Sequence, residues 1–211
     1  MGFVRKVYSI LATQLLLTSI FIIVPLFTPS VKNWMAEHWS LLIVSMVGEI
    51  VTSIILICCR GLSRMVPINY IFLTLFTVFE AYLLGFIAAY YDPAVVLAAS
   101  TATAGVTLII SLYAWKTKSD FTICGPMLLI VGFTFCIMSM FVFLFGRVLN
   151  MFFCGLAVVL FSIYLLFDTQ LIMGGKRYEI EIDDYILGVV ILYTDIVTIF
   201  LYLLSLLGNN K

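Results

Sequence analysis

The chain has 211 residues, of which 64% are hydrophobic and only 10% are charged. Soluble domains contain about 25% charged residues, so this composition excludes an ordinary soluble domain. The 11 basic and 11 acidic residues give a formal net charge of zero, so no overall positive field attracts nucleic acid. The composition indicates an integral membrane protein.

Seven strongly apolar segments follow one another along the chain. A membrane-spanning helix needs about 20 mostly apolar residues, and this rule selects residues 7–27, 40–59, 68–90, 94–115, 123–145, 149–173 and 186–207. The first segment is too long for the apolar part of a signal peptide, which favours a retained helix. The sequence therefore predicts an all-α integral membrane protein, with residues 1–211 forming a single seven-helix transmembrane domain.

The basic residues predict how this bundle is oriented. Eight of them fall on the side of the N-terminus and three on the opposite side: Arg5, Lys6, Arg60, Arg64, Lys116, Lys118, Lys176 and Arg177 against Lys32, Arg147 and Lys211. Because basic loops remain on the cytosolic side, we expect a cytosolic N-terminus. This topology is the reverse of that of a G-protein-coupled receptor, and the seventh segment has no lysine that could hold retinal.

Four acidic residues lie inside apolar segments, namely Glu49, Glu80, Asp168 and Asp195. A charge in hydrocarbon costs about 2.5 kcal/mol or more, so such residues usually face a protein interior or a water-filled path. Helical rise places Asp168 roughly 8 Å and Asp195 roughly 14 Å from the cytosolic edge. The sixth and seventh segments are joined by a short loop and are expected to run side by side. We therefore predict that the two aspartates form one site, with Glu49 and Glu80 as further candidates for an ion path.

Two close carboxyl groups in a poorly solvated place tend to share a proton and titrate as a unit. Loss of that proton favours a cation, and hard oxygen ligands suit calcium, which makes Asp168 and Asp195 candidate calcium ligands. Alternatively Arg60, at the cytosolic mouth, supplies the positive charge through a bridge to Asp168. Acid would break this bridge but would also remove the ligands of the cation. The sequence leaves the sign of the pH response open.

Five stretches resemble the transmembrane Bax-inhibitor-motif family, also called Lifeguard or Golgi anti-apoptotic proteins. They are RKVYSIL at 5–11, FEA at 79–81, FDTQLIM at 167–173, DDYILG at 183–188 and, most specifically, LYTDIVTIFLYLL at 192–204. The resemblance implies a pH-sensitive calcium leak channel that suppresses apoptosis in endoplasmic-reticulum or Golgi membranes, with the plasma membrane as another location.

The resemblance also assigns roles to individual residues. Asp168 and Asp195 would form the pH sensor, Arg60 would latch onto Asp168, and Asp183 and Asp195 would take part in ion conduction. Calcium is then the permeant ion, and no cofactor is expected. Besides the lipid bilayer, the implied partners are anti-apoptotic proteins or calcium-release channels.

Three other functions compete with the leak channel. An intramembrane aspartyl protease also pairs two aspartates, but here Asp195 follows Tyr193-Thr194 instead of Gly-x-Gly. The last proline is Pro126, so no Pro-Ala-Leu motif follows the pair, and we predict that the protein is not an enzyme. A proton-coupled cation transporter would use the same buried acids. A non-conducting anti-apoptotic scaffold would tolerate Asp168→Asn and Asp195→Asn.

Overall fold

The computed structural model describes residues 2–141 and 146–208. Within these ranges the chain forms helices and no strands, in the order α1 (Gly2–Phe27), α2 (Pro29–Glu37), α3 (Trp39–Cys58), α4 (Arg60–Arg64), α5 (Ile68–Ala88), α6 (Pro93–Lys116), α7 (Gly125–Phe141), α8 (Arg147–Met173) and α9 (Tyr185–Gly208). Seven of these helices are long and apolar enough to cross a membrane. The predicted fold class is thereby confirmed. The end of the predicted fifth segment, at 142–145, and Lys211 lie outside the described residues, and the cytosolic N-terminus remains a prediction.

Two short helices occupy stretches that the sequence predicted as loops. Helix α2 begins at Pro29, where the fixed φ of proline suits a first helical turn and its missing N–H removes no helical hydrogen bond. Helix α4 covers only Arg60–Arg64. Both are far shorter than a membrane span, so a rule based on the thickness of the bilayer does not detect them.

Two glycines end the sixth spanning helix close to Asp168. Gly174 and Gly175 have positive φ angles of 69° and 73°, a conformation that glycine adopts without a steric penalty. The backbone N–H of Gly174 donates to the carbonyl of Gln170 at 3.1 Å. Helix α8 therefore stops shortly after Asp168, and the chain turns into the loop that leads to α9.

The chain divides into two compact units, Met1–Pro93 with Glu181–Tyr193 and Ala94–Ile180 with Thr194–Lys211. In the first unit α5 packs against α1 and α3. A Cβ atom at Gly85 would overlap the backbone carbonyl of Phe21, so a residue without a side chain permits the close approach of α5 to α1. The single domain predicted over residues 1–211 remains a prediction.

An aromatic cluster joins three helices of the second unit. The rings of Phe135 on α7 and Phe153 on α8 stack with their centroids 4.3 Å apart. Tyr202 on α9 meets both rings edge-on, and its ring stacks on Phe161 at 5.9 Å. Such aromatic pairs contribute about 0.5–1.5 kcal/mol beyond the burial of their area. They fix α7, α8 and the second half of α9 against one another.

Candidate functional site

Asp168 and Asp195 come together in the second unit. Asp168 lies on α8 and is 9% exposed, and Asp195 lies on α9 and is 6% exposed. Their carboxyl groups are within hydrogen-bonding reach of each other. The Oδ2 atom of Asp195 is buried and has no hydrogen-bond partner among the residues that the structure describes.

This contact has a defined chemical requirement. An ionised carboxylate only accepts hydrogen bonds, so a hydrogen bond between two carboxyl groups needs a proton on one of them. Two carboxylates that both lose their protons in a buried place repel each other. The pair can therefore hold one proton, or it can exchange that proton for a cation.

Tyr164 holds α8 against α7 beside this pair. Its hydroxyl donates to the backbone carbonyl of Leu128 at 2.5 Å, and a Cβ atom at Gly132 would overlap that hydroxyl. Tyr164 precedes Asp168 by one helical turn, and its hydroxyl lies within electrostatic range of both aspartates. Sequence reasoning missed Tyr164, and its spacing of four residues from Asp168 was the available signal.

Gln170 was also missed, although it lies two residues from Asp168. Its side chain is 1% exposed. Oε1 accepts a hydrogen bond from the backbone N–H of Phe121 at 2.8 Å, and Nε2 donates to the carbonyl of Ser119 at 3.0 Å. Gln170 thus attaches the end of α8 to the loop between α6 and α7.

The loop after α8 is fastened to the same segment. Lys176 Nζ donates to the carbonyls of residues 117–119 at 3.0–3.3 Å. Asp120 accepts hydrogen bonds from the hydroxyl and the N–H of Thr122 at 2.6 and 2.9 Å, and from the N–H of Arg177 at 3.1 Å. The Thr122 hydroxyl is the main cause that lowers the pKa of Asp120, and the backbone donors add to it. These contacts hold the two loops together next to the end of α8.

Arg64 forms ion pairs within the first unit. Its guanidinium binds Asp184 with Nε–Oδ1 and Nη2–Oδ2 distances of 2.6 and 2.7 Å, and it contacts Glu181 at 2.5 Å. Both acceptors raise the pKa of Arg64, and the hydrogen bond to Asp184 makes the larger contribution. Arg60 is exposed at the start of α4. The predicted bridge from Arg60 to Asp168 joins residues of different units and remains a prediction.

The other predicted acids all belong to the first unit. Glu49 on α3 and Glu80 on α5 are half-buried and lie within electrostatic range of each other. Asp183 is exposed in the 3-10 turn Ile182–Asp184 that precedes α9. Its neighbour Asp184 is buried and paired with Arg64. The assignment of Glu49, Glu80 and Asp183 to an ion path remains a prediction.

Uncharged polar side chains are buried in the helices around Glu80. Gln14 Nε2 donates to the hydroxyl of Thr77 at 2.6 Å, and the hydroxyls of Thr18 and Tyr193 lie 2.7 Å apart. Thr77 precedes Glu80 by three residues, and the hydroxyl of Tyr193 lies within its electrostatic range. Sequence reasoning missed Gln14 and Thr18 on α1.

A comparison with known protein families identifies the family of the chain. Residues 1–211 match the family model described as inhibitor of apoptosis-promoting Bax1. The chain belongs to this family. It is 36% identical to human Protein lifeguard 3 over 216 residues, which cover 99% of this chain and 69% of that protein. The mouse Protein lifeguard 3 is 33% identical with the same coverage, and Protein LIFEGUARD 4 of Arabidopsis thaliana is 35% identical over 97% of this chain and 83% of that protein.

Membership of the Bax1-inhibitor family confirms the resemblance that the sequence motifs indicated. Together with the seven apolar helices, it identifies a multi-pass integral membrane protein. The description of the family associates it with the inhibition of apoptosis.

The donor set around Asp168 and Asp195 is small for a metal site. Among the described residues there is no group of three or more His, Cys, Asp or Glu side chains that could hold a metal ion. Calcium takes about six to eight oxygen ligands, so two carboxylates leave most of its coordination to water and backbone carbonyls. Such a set suits an ion that stays briefly rather than one that is bound tightly.

Proposed function

We propose that the protein is a pH-sensitive, calcium-permeable leak channel of intracellular membranes that modulates calcium stores and suppresses apoptosis. The carrying observation is the contact between Asp168 and Asp195, two buried carboxyl groups from two membrane-spanning helices. Membership of a family described by the inhibition of apoptosis supports the cellular role. The endoplasmic reticulum or the Golgi is the proposed location.

The pair acts as the proton sensor. With one proton shared, the two carboxyl groups hydrogen-bond to each other and carry one negative charge. When that proton leaves, two negative charges face each other in a place with little water, and a passing cation stabilises them. The occupancy of the pair by a proton or by calcium thereby sets the flux through the protein.

The remaining predicted residues complete this mechanism. Arg60 acts as a gate by pairing with Asp168 at the cytosolic mouth. Glu49, Glu80 and Asp183 attract calcium along the rest of the path because carboxylate oxygens are the ligands that calcium prefers.

Calcium-dye influx into liposomes tests the proposal. The full chain is reconstituted, and influx is followed from about pH 6 to 8 for the wild type, Asp168→Asn and Asp195→Asn. We expect the wild-type flux to vary with pH and the variants to lose that variation, since an amide does not titrate in this range. Glu37→Gln, which changes an exposed carboxylate outside the membrane spans, is the matched control and keeps the wild-type response.

The same liposomes separate the proposal from its alternatives. A proton-coupled cation transporter exchanges the same proton at the same pair, and its calcium flux would require or create a proton gradient. The leak proceeds with the proton gradient collapsed. Absence of calcium flux at every pH, or a pH response that survives both Asn substitutions, overturns the proposed function.

A further inference from the structure

Two cavities of similar size lie in the second unit, but their linings differ. One, of about 340 Å³, lies between α7 and α8, and Thr134 is its single polar lining residue. The other, of about 370 Å³, is also bounded by α9, and it is lined by Ser139, Asn150, Cys154, Thr198, Tyr202 and Ser205 together with apolar neighbours. Lipid tails fit the first lining, whereas the second cavity is roomy and offers the polar partners that a retained water molecule needs.

Stacked aromatic rings stand between these two cavities. Phe135 lines the apolar cavity and Phe153 lines the polar one, and their rings stack 4.3 Å apart. Close-packed rings leave no room for water between them. The polar cavity can therefore hold water while the apolar cavity remains accessible to lipid.

Two hydroxyls in the lining of the polar cavity are free to act as hydrogen-bond acceptors. The hydroxyls of Thr198 and Ser139 donate their protons to the carbonyls of Thr194 and Cys136, each at 2.7 Å. Since a hydroxyl has one proton and two lone pairs, these oxygens keep lone pairs for another partner. Acceptor oxygens of this kind replace the water around a cation.

A thiol adds a second feature to this lining. Cys154 Sγ is positioned to donate to Asn150 Oδ1 at 3.6 Å and to Ser205 Oγ at 3.5 Å. Only one of these oxygens can accept the single thiol proton at a time, and a thiol is a weak hydrogen-bond donor. They can exchange it for a cation at little cost.

The position of this cavity along α9 connects it with Asp195. Thr198 follows Asp195 by three residues, which corresponds to a rise of about 4.5 Å, and Tyr202 and Ser205 continue the same side of the helix. Asp195, whose buried Oδ2 atom has no hydrogen-bond partner among the described residues, therefore lies about one helical turn from the lining residue Thr198.

We propose that this cavity is a water-filled vestibule for a hard cation such as calcium, leading to Asp195, and that the oxygens of Asn150, Thr198 and Ser205 contact the ion there. The inference rests on the proposed function, because it assigns the part of the ion path that follows the aspartate pair toward the C-terminal end of α9. Neutral oxygens remove part of the hydration shell without holding the ion as tightly as a carboxylate. The vestibule thus controls the rate of permeation, whereas the aspartate pair controls its pH dependence.

Two measurements on the reconstituted full chain test the vestibule. In the first, calcium influx is compared for Thr198→Val and Thr134→Val, which remove the same hydroxyl from the polar and the apolar cavity. We expect a several-fold lower flux for Thr198→Val with an unchanged pH response, and wild-type flux for Thr134→Val. Equal flux in both variants overturns the role of Thr198, and Ser205→Ala repeats the test where Thr198→Val fails to fold.

In the second measurement, a membrane-impermeant cationic thiol reagent is added to both sides of the liposomes and modified cysteines are identified by mass spectrometry. Cys154 is 3% exposed, whereas Cys136 is exposed on the membrane span of α7. A water-filled vestibule predicts modification of Cys154 before Cys136, the reverse of their exposure, because thiols ionise and react in water rather than in lipid. Ser205→Cys on a Cys154→Ser background provides a second reporter.

These measurements distinguish a failure of the vestibule from a failure of the proposed function. If Cys154 is modified but no calcium flux is observed, the cavity contains water and the proposed function is rejected. Calcium flux that depends on Asp195, without modification of Cys154 or of a cysteine at position 205, rejects the vestibule alone.

Discussion

Replacing Gln170 by leucine should destabilise the second unit, and the contacts of this side chain give the magnitude. The substitution leaves the part-buried backbone N–H of Phe121 without its acceptor, which costs about 1–3 kcal/mol where water does not replace that acceptor. It also removes the bond to the carbonyl of Ser119, worth about 1 kcal/mol, although Lys176 still donates to that oxygen at 3.0 Å. We therefore expect a loss of about 2–4 kcal/mol.

Gln14 provides a matched control in the first unit. It is also buried, but only its Nε2 is bonded, while its Oε1 has no partner among the described residues. After Gln14→Leu, the hydroxyl of Thr77 still donates to the carbonyl of Leu73 at 2.7 Å. Because no buried donor is orphaned and one unsatisfied acceptor disappears, we expect a cost of about 1 kcal/mol or less.

The two variants are compared by unfolding titrations in mixed detergent micelles, together with hydrogen exchange of residues 117–124. Gln170→Leu should unfold at lower denaturant and expose that loop to faster exchange, and Gln14→Leu should leave the loop unchanged. Equal stability of the two variants, or a protected loop in Gln170→Leu, would refute the assignment of Gln170 as the anchor of this loop.

Three further changes test other parts of the fold. Arg64→Lys keeps the charge but loses the two-pronged contact with Asp184, so hydrogen exchange at residues 60–64 and 181–184 should accelerate. Asp120 has a lowered pKa, so its stabilisation is present above its unfolded value of about 3.9 and is lost as pH falls through its folded value. The melting temperature of Asp120→Asn should therefore lie below that of the wild type at about pH 7, and the two should converge as pH falls below about 3.9. Gly85→Ala forces a Cβ atom against the carbonyl of Phe21, which should cost about 1–3 kcal/mol in the unfolding titration.

Each of these three predictions has an outcome that would contradict it. Unchanged exchange in Arg64→Lys would mean that charge alone holds α4. A difference in melting temperature that persists at low pH would show that Asp120 acts through something other than its charge. Gly105 is the control for Gly85, since a Cβ atom there meets nothing within 4 Å. If Gly105→Ala loses as much stability as Gly85→Ala, the loss does not come from the contact of the Cβ atom with Phe21.

The sequence predicted the spanning helices well because the thickness of a bilayer fixes their length. The predicted sixth and seventh segments, 149–173 and 186–207, differ from Arg147–Met173 and Tyr185–Gly208 by at most two residues at either end. The same reasoning drew attention to Asp168 and Asp195, because a carboxylate is conspicuous in an apolar segment. The structure brings their carboxyl groups within hydrogen-bonding reach.

Sequence reasoning missed the residues that hold this site together, for physical reasons that differ between them. Gln170 and Tyr164 carry no charge, so their positions in apolar helices produce no signal of the kind that an aspartate gives. Arg60 and Arg64 lie in one basic segment, and the rule for membrane orientation counts them alike. Only the described structure distinguishes Arg64 as the partner of Asp184.

The proposed leak mechanism requires that Asp168 and Asp195 exchange a shared proton for a calcium ion. Proton release on addition of calcium to the purified protein, in weak buffer near neutral pH, measures this exchange directly, because a carboxyl group must lose its proton to bind a metal ion. We expect release of about one proton per chain at saturating calcium for the wild type and none for Asp195→Asn. No release from the wild type, or equal release from Asp195→Asn, would contradict it.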